Sequence, residues 1–185
     1  AGYSMPINYS EGIIKEHLHT RKSVGVFDVS HMGQILIPSS QENCKELEKI
    51  IPLDLINIKL NNSFYSFILN DRGGIIDDII ISKIIIDKLE YFFLIYNASR
   101  KKIDEEIFIN NTNNYLILKD HSLLAIQGPL SSHVVSNFSK EINKMYFMQI
   151  GTFIYNNHSI IISRTGYTGE DGFELSIPNK IIHEF

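Results

Sequence analysis

The stretch RGGIIDDIIISKIII, from Arg72 to Ile86, constrains this chain more than any other. Its isoleucine density is that of a buried β-strand, and Arg-Gly-Gly ahead of it reads as a turn. Two adjacent aspartates, Asp77 and Asp78, stand inside it. Side chains along a strand alternate between faces, so the two carboxylates point opposite ways. Strict alternation puts Asp77 with Ile75, Ile79 and Ile81, and Asp78 with Ile76, Ile80 and Ile84. Both faces are mostly apolar. An ionised group left there without partners is costly. At least one of the two aspartates therefore has a solvated or hydrogen-bonded purpose.

The neighbouring segments place this strand in a meander. Phe64 to Leu69 alternates as a strand, and NDRGG (Asn70 to Gly74) is a turn. IDKLE turns the chain again into YFFLIYN. Elsewhere, Ser10 is placed to cap a helix over EGIIKEHLHTRKS, and a strand follows near Gly33 to Ile37. Ser39 and Glu42 have capping-box spacing ahead of a second helix ending near Ile51. SRKKIDEEIF reads as a helix, with Arg100 to Lys102 and Asp104 to Glu106 on a solvated face. Leu116 to Ile126 is strand-like, and Pro129 suits the first turn of a helix running to about Ser139. TFIYNNHSIIIS is a hairpin in which Asn156 and Asn157 adopt positive φ. TGYTGEDG leads into a last strand, FELSI, and NKIIHEF is helix-like. Hairpins interspersed with helices predict an α+β fold with antiparallel sheets and flanking helices, not a doubly wound parallel one.

Bulk composition narrows the partners. The chain has 185 residues, 44% hydrophobic and 21% charged, enough for a real core. A net charge of −4 shows no basic excess for nucleic acid or an anionic membrane. A single cysteine, Cys44, rules out a disulfide within the chain. The longest apolar run is broken by Asp77, Asp78, Ser82 and Lys83, so no membrane-spanning helix is expected.

Familiar reaction chemistries find little purchase. No His-Glu-x-x-His or Cys-x-x-Cys spacing points to a metal, and none is expected. There is no Gly-x-Ser-x-Gly elbow, and Cys44 reads as a packing residue. Gly166, Gly169 and Gly172 lack the Lys-Ser/Thr of a P-loop and the dinucleotide spacing. What remains are tyrosines, asparagines and carboxylates at strand ends, in FYSFILNDRGGIIDD, NASRKK and SRTGYTGEDGFEL. Such a set suits a flat heteroaromatic ligand with N–H donors on one edge, since a carboxylate accepts two of them in parallel.

Six stretches together carry a more specific signal. AGYSMPINY, TRKSVGVFDVSHMGQI, YSFILNDRGGIIDDIIISK, NASRKK, LLAIQGP and ISRTGYTGEDGFEL occur in this order along nearly the whole chain. In order and spacing they resemble the aminomethyltransferase, or T-protein, family of the glycine cleavage system. The resemblance implies a folate-binding aminomethyltransferase-type fold. It also implies that residues 1–185 form the N-terminal region of a longer protein, with the C-terminal part absent.

The resemblance implies an activity as well: transfer of the one-carbon unit from the aminomethyl-lipoyl arm of H-protein to tetrahydrofolate, with release of ammonia. Tetrahydrofolate would be the co-substrate and lipoylated H-protein the partner, with no metal, nucleic acid or membrane. The protein would be a monomer of the bacterial cytoplasm or, in a eukaryote, the mitochondrial matrix. Matched position by position, Asp78 is the catalytic aspartate, Glu174 holds the pterin edge, and Tyr65, Asn97 and Tyr167 line the folate cavity. Asp77 would be structural, with a turn or backbone partner, and His31 of DVSHM would shape the wall. Tyr3 stands where the family commonly has tryptophan, and Ser82 where some members stack a tyrosine over folate. Two alternatives share the fold: the folate domain of a sarcosine- or dimethylglycine-oxidising enzyme, and a non-catalytic folate-binding protein of iron–sulfur maturation.

Overall fold

A computed structural model describes residues 2–184. In chain order the elements are α1 (Ile13–Lys22), β1 (Gly25–Asp28), β2 (Gly33–Pro38), α2 (Gln41–Leu47), β3 (Asn62–Leu69), β4 (Ile75–Ile86) and β5 (Leu89–Tyr96). There follow α3 (Lys101–Asn110), β6 (Leu116–Ile117), β7 (His121–Gln127), α4 (Ser131–Val135), β8 (Ile150–Tyr155), β9 (His158–Ser163) and β10 (Gly172–Pro178). Short 3₁₀ turns cover Lys140–Lys144 and Asn179–Glu184. Among the described residues no helix is long and apolar enough to cross a membrane, which leaves strand-built barrels unaddressed.

Two five-stranded sheets carry the fold, and the strand pairs register antiparallel throughout. The α+β antiparallel architecture expected from the hairpin order is the one observed. The chain divides into two compact units, Met32–Lys119 and the combination of residues 1–31 with 120–185. One boundary falls inside DVSHM, between His31 and Met32.

The Met32–Lys119 unit holds the sheet β3-β4-β5-β2-β6. Its meander is the predicted one. Asn70 closes the first turn by accepting from the backbone N–H of Arg72 and of Gly74, each at 2.9 Å. The second turn sets Asp87 and Lys88 at positive φ, 49° and 68°, as a two-residue hairpin of matching twist requires. One face of this sheet packs Ile35, Ile37, Ile68, Ile79, Ile81, Phe92, Leu94 and Tyr96 against Leu47 of α2 and Phe108 of α3. Gly33 lies opposite Tyr96 in the ladder, and a Cβ there would sit 1.9 Å from the tyrosine ring. Glycine at this position is a packing requirement.

The isoleucine strand departs from strict alternation at one place. The β3–β4 ladder slips between Ile68 and Leu69, so Leu69 pairs with Ile75. A bulge of this kind flips the parity of everything before it. Ile75 is accordingly 63% exposed, whereas Ile76 packs on the core cluster. Ile75 therefore does not share a face with Asp77, contrary to the alternation read from the sequence.

The second unit holds the sheet β1-β7-β10-β9-β8. Its core gathers Ile126, Ile160, Ile162, Phe173, Leu175 and Ile177 with Val135 of α4 and Ile181. Asn156 and Asn157 take φ of 46° and 62° in the β8–β9 turn, as expected. Several boundaries differ from the expected ones. Gly12, not Ser10, precedes α1, and Ser40, not Ser39, caps α2 by accepting from the Asn43 backbone N–H. Leu116 to Ile126 is two strands, and the helix after Pro129 stops at Val135. Strand β1 was not expected, because GVFD is too short to show alternation.

Candidate functional site

The carboxylate pair sits where β4 leaves its bulge. Asp78 lies across from Phe67 on β3, and Asp77 across from Ile68. Since Ile68, Ile79 and Ile81 are core residues, Asp77 projects on the core side and Asp78 on the other. Extending the β4–β5 register by one residue past Ile79–Tyr96 puts Asn97 opposite Asp78. The Asn97 amide exploits that position. Its Nδ2 donates to Asp77 Oδ1 at 3.0 Å, Asp78 Oδ1 at 3.1 Å and the Asp78 carbonyl at 3.2 Å. Three acceptors share two amide hydrogens, so one neutral side chain bridges both carboxylates.

Tyr65 completes this face. It pairs with Ile80, two residues beyond Asp78, and so stands diagonal to the carboxylate within side-chain reach. Its phenol lies within reach of the Asp78 carboxylate. Desolvation, then the Asp78 carboxylate, holds that phenol above its ordinary pKa. The Tyr65 and Phe67 rings meet edge-to-face at 5.4 Å. Tyr65 is 56% exposed, so an aromatic surface with a polar tip borders the aspartate. Asp78, Tyr65 and Asn97 thus stand together on one face of this sheet.

Asp77 does not have the turn or backbone partner expected for it. It accepts from Asn97, and its side chain also meets that of Asp104 on α3. Asp104 itself is fully buried, not part of a solvated face. The signal was its spacing: Asp104 is four residues before Phe108, which lies in the core, so the two share a helix face. Ser82 does not face an open wall either. It is 1% exposed, and its hydroxyl donates to Ser63 Oγ at 2.8 Å.

The other unit carries Tyr167 and Glu174. In β10, Phe173, Leu175 and Ile177 turn to the core, leaving Glu174 on the opposite face. It stands between Ala125 of β7 and Ser163 of β9. The Thr165 hydroxyl donates to Glu174 Oε2 at 2.6 Å and lies 3.0 Å from Ser163 Oγ. Burial raises the Glu174 pKa, and the Thr165 hydrogen bond works against that rise. Tyr167 has its phenol pushed up by desolvation and then by the Glu174 carboxylate.

The loop from Arg164 to Gly172 is braced at three points. Arg164 forms a two-pronged fork on Asp171, with Nε 2.9 Å from Oδ1 and Nη2 2.7 Å from Oδ2, and donates a third bond to the Met145 carbonyl. The buried Gln127 accepts from the Tyr167 backbone N–H at 3.0 Å and donates to the Thr165 carbonyl. Arg21 donates to the Thr168 carbonyl at 2.7 Å. Gly172 lies opposite Gln127, and a Cβ there would come 2.2 Å from its Oε1. Gln127, Thr165, Arg164 and Asp171 all lie within the quoted motifs, yet none stood out in the sequence as a candidate. Their contribution is to fix the loop that carries Tyr167.

His31 meets the Tyr3 ring at 6.0 Å between centroids within this unit. Also within it, a groove of about 620 Å³ runs between Met5–Tyr9, α1 and β1 and is lined by Phe27 among others.

Acids, amides and phenols thus stand on strand faces turned away from the core in each unit. The solved aminomethyltransferase T of the glycine cleavage system from Bartonella henselae superposes with a TM-score of 0.85 at 34% identity, over 99% of this chain and 50% of that one. The mitochondrial aminomethyltransferase of Dictyostelium discoideum is 38% identical over 192 residues, covering 97% of this chain and 46% of the relative. The Thermoanaerobacter pseudethanolicus aminomethyltransferase is 36% identical, covering 97% and 50%. The GCVT N-terminal domain model matches residues 1–185, and the chain belongs to that family. It spans about half the length of the curated relatives it matches.

Proposed function

We propose that this chain is the N-terminal, folate-binding region of a glycine cleavage aminomethyltransferase. The whole protein would take the aminomethyl group carried on the lipoyl arm of H-protein. It would pass the one-carbon unit to tetrahydrofolate, giving 5,10-methylenetetrahydrofolate, ammonia and the dihydrolipoyl arm. The observation that carries the reading is Asp78, set opposite Asn97 and within reach of the Tyr65 phenol.

In this reading Asp78 orients a folate amine toward the aminomethyl carbon and takes up the proton released on attack. Asn97 holds the carboxylate still, and Tyr65 offers a ring edge and a hydroxyl beside it. Glu174 accepts two N–H donors from the pterin edge, with Tyr167 as wall. Names of relatives across bacteria and eukaryotes support the assignment, and the eukaryotic ones carry the word mitochondrial. In a eukaryotic source the site of action would be the mitochondrial matrix; in a bacterium, the cytoplasm. The protein would act as a monomer that docks H-protein transiently.

The test uses the complete protein that contains this chain. Aminomethyl-loaded H-protein is supplied, and ammonia release is followed with and without tetrahydrofolate. Strong folate-dependent release is expected. Folate binding without release would overturn the transfer reaction.

A further inference from the structure

Asp104 is a buried carboxylate that the proposed reaction leaves unused. It lies on α3 with no exposed surface, and neither of its carboxylate oxygens meets a donor among the described residues. Its neighbour is a second acceptor, Asp77, whose Oδ2 is also buried and also lacks a donor. Two acceptors in contact make a hydrogen bond only when one of them carries a proton. Unprotonated, the pair would be two like charges held together out of solvent, which is costly.

The remaining charges around Asp104 do not remove the need for that proton. Asp78 adds a further negative charge nearby. Arg100, one turn back on the chain, is the opposing positive group, but no hydrogen bond from it reaches Asp104. Tyr96 spends its hydroxyl on Glu105 at 2.9 Å. The proton itself is the remaining donor.

We propose that Asp104 is a positioning residue for Asp78: it keeps a proton, donates it to Asp77, and so leaves the Asn97 amide available to hold Asp78. The order of contacts is Asp104 to Asp77, Asp77 to Asn97, and Asn97 to Asp78, all within the Met32–Lys119 unit. With the proton in place, Asp77 is satisfied on Oδ2 and draws less on the shared amide. Without it, the full charge of Asp77 competes for Nδ2 and pulls Asn97 from Asp78. Burial first, and then Asp77, raises the Asp104 pKa to about 7, so the proton is present up to neutrality.

The inference rests on the transfer reading for its consequence, but the proton can be tested without it. Infrared spectra of the complete protein should show the C=O band of a protonated carboxyl at pH 6 that fades through neutrality. Asp104→Asn should abolish the band. Asp77→Asn removes the like charge, so it should move the fading out of the neutral range. Absence of the band in the wild type at pH 6, or its survival in Asp104→Asn, would overturn the proposal.

The positioning half is read in ammonia release. Wild type should lose rate as pH rises through about 7, the value set by burial and Asp77. Asp104→Asn keeps a donor for Asp77, so it should remain active and lose that pH step. Asp104→Leu should lower the rate at least tenfold with folate affinity unchanged. A Leu variant as fast as wild type would sink the positioning role. Should Leu fail to fold, retention of the pH step in Asp104→Asn would sink it equally. If the wild type releases no ammonia while the band behaves as described, the transfer reading fails and the proton assignment stands.

Discussion

Each sheet turns one carboxylate away from its hydrophobic core, and the two carboxylates live in opposite company. Glu174 is a solitary acid, flanked by Thr165, Ser163 and the Tyr167 phenol. Asp78 is crowded, with Asp77 and Asp104 behind it and one amide shared among acceptors. A solitary acid can be tuned by burial against a single hydroxyl, and it suits recognition of a fixed pair of donors. A crowded acid must have its neighbours' charges managed, and it suits a step in which a proton moves. The difference argues that the two sites have different work, binding at Glu174 and chemistry at Asp78.

The largest expected effect tests that division directly. Asp78→Asn keeps the shape and the amide contacts but removes the base. Folate-dependent ammonia release should fall by about 10³-fold or more, while the tetrahydrofolate Kd moves by less than about threefold. A loss of binding equal to the loss of rate would make Asp78 a binding residue and erase the contrast.

Next comes the pH dependence of stability. Asp104 has its pKa raised from 3.8 to about 7 in the fold. Between those values the folded chain holds a proton that the unfolded chain has lost. Its contribution is therefore complete below about pH 4 and is lost as pH rises to about 7. The ceiling on this change is on the order of 4 kcal/mol. Urea unfolding from pH 4 to pH 8 should show the decline in wild type and a flatter profile in Asp104→Asn. Identical profiles would mean that Asp104 is not the group holding the proton.

Glu174→Ala should act on binding. If Glu174 accepts from the pterin edge as proposed, the change leaves two donors without an acceptor, at a cost of about 2–3 kcal/mol, which is about 30- to 150-fold in Kd. Turnover at saturating folate should change only a few-fold. Equilibrium titration with tetrahydrofolate, paired with saturation kinetics, reads both numbers. A collapse of turnover at saturation would put Glu174 in the chemical step.

Much of this was legible in advance, and the exceptions have physical causes. The three-strand meander was readable because isoleucine alternation and the turn chemistry of Asn70 and Gly73 agree. Of the five residues carried over from the family motifs, Asp78, Tyr65 and Asn97 stand in the Met32–Lys119 unit, and Tyr167 and Glu174 in the other. Alternation failed at Ile75 because a bulge is a local slip in pairing, and a single strand's sequence does not encode its partner's register. Asp104 was misread because its neighbours Lys102 and Glu106 are exposed and set the apparent character of the helix. The loop braces at Arg164, Asp171 and Gln127 were hidden for another reason. Gln127 reaches Tyr167 and Thr165 from 40 and 38 residues away, and Arg164 meets Asp171 only because the irregular loop between them folds back, which no helical or strand spacing reveals.

The smallest effect bears on the same strand face as Asp78. Ser82 is buried, and its hydroxyl pairs with Ser63 across the β3–β4 ladder. Ser82→Ala leaves the Ser63 hydroxyl buried without its partner and should cost about 1–2 kcal/mol in urea unfolding. Removing both hydroxyls, in Ser63→Ala with Ser82→Ala, should recover most of that loss, because no unpaired group remains. Asp78-dependent turnover should be unchanged in both variants if the pair only seals the sheet. A drop in turnover without a drop in stability would show that the Ser82 hydroxyl serves the Asp78 site, and the solvent-poor end of the strand would then belong to the chemistry.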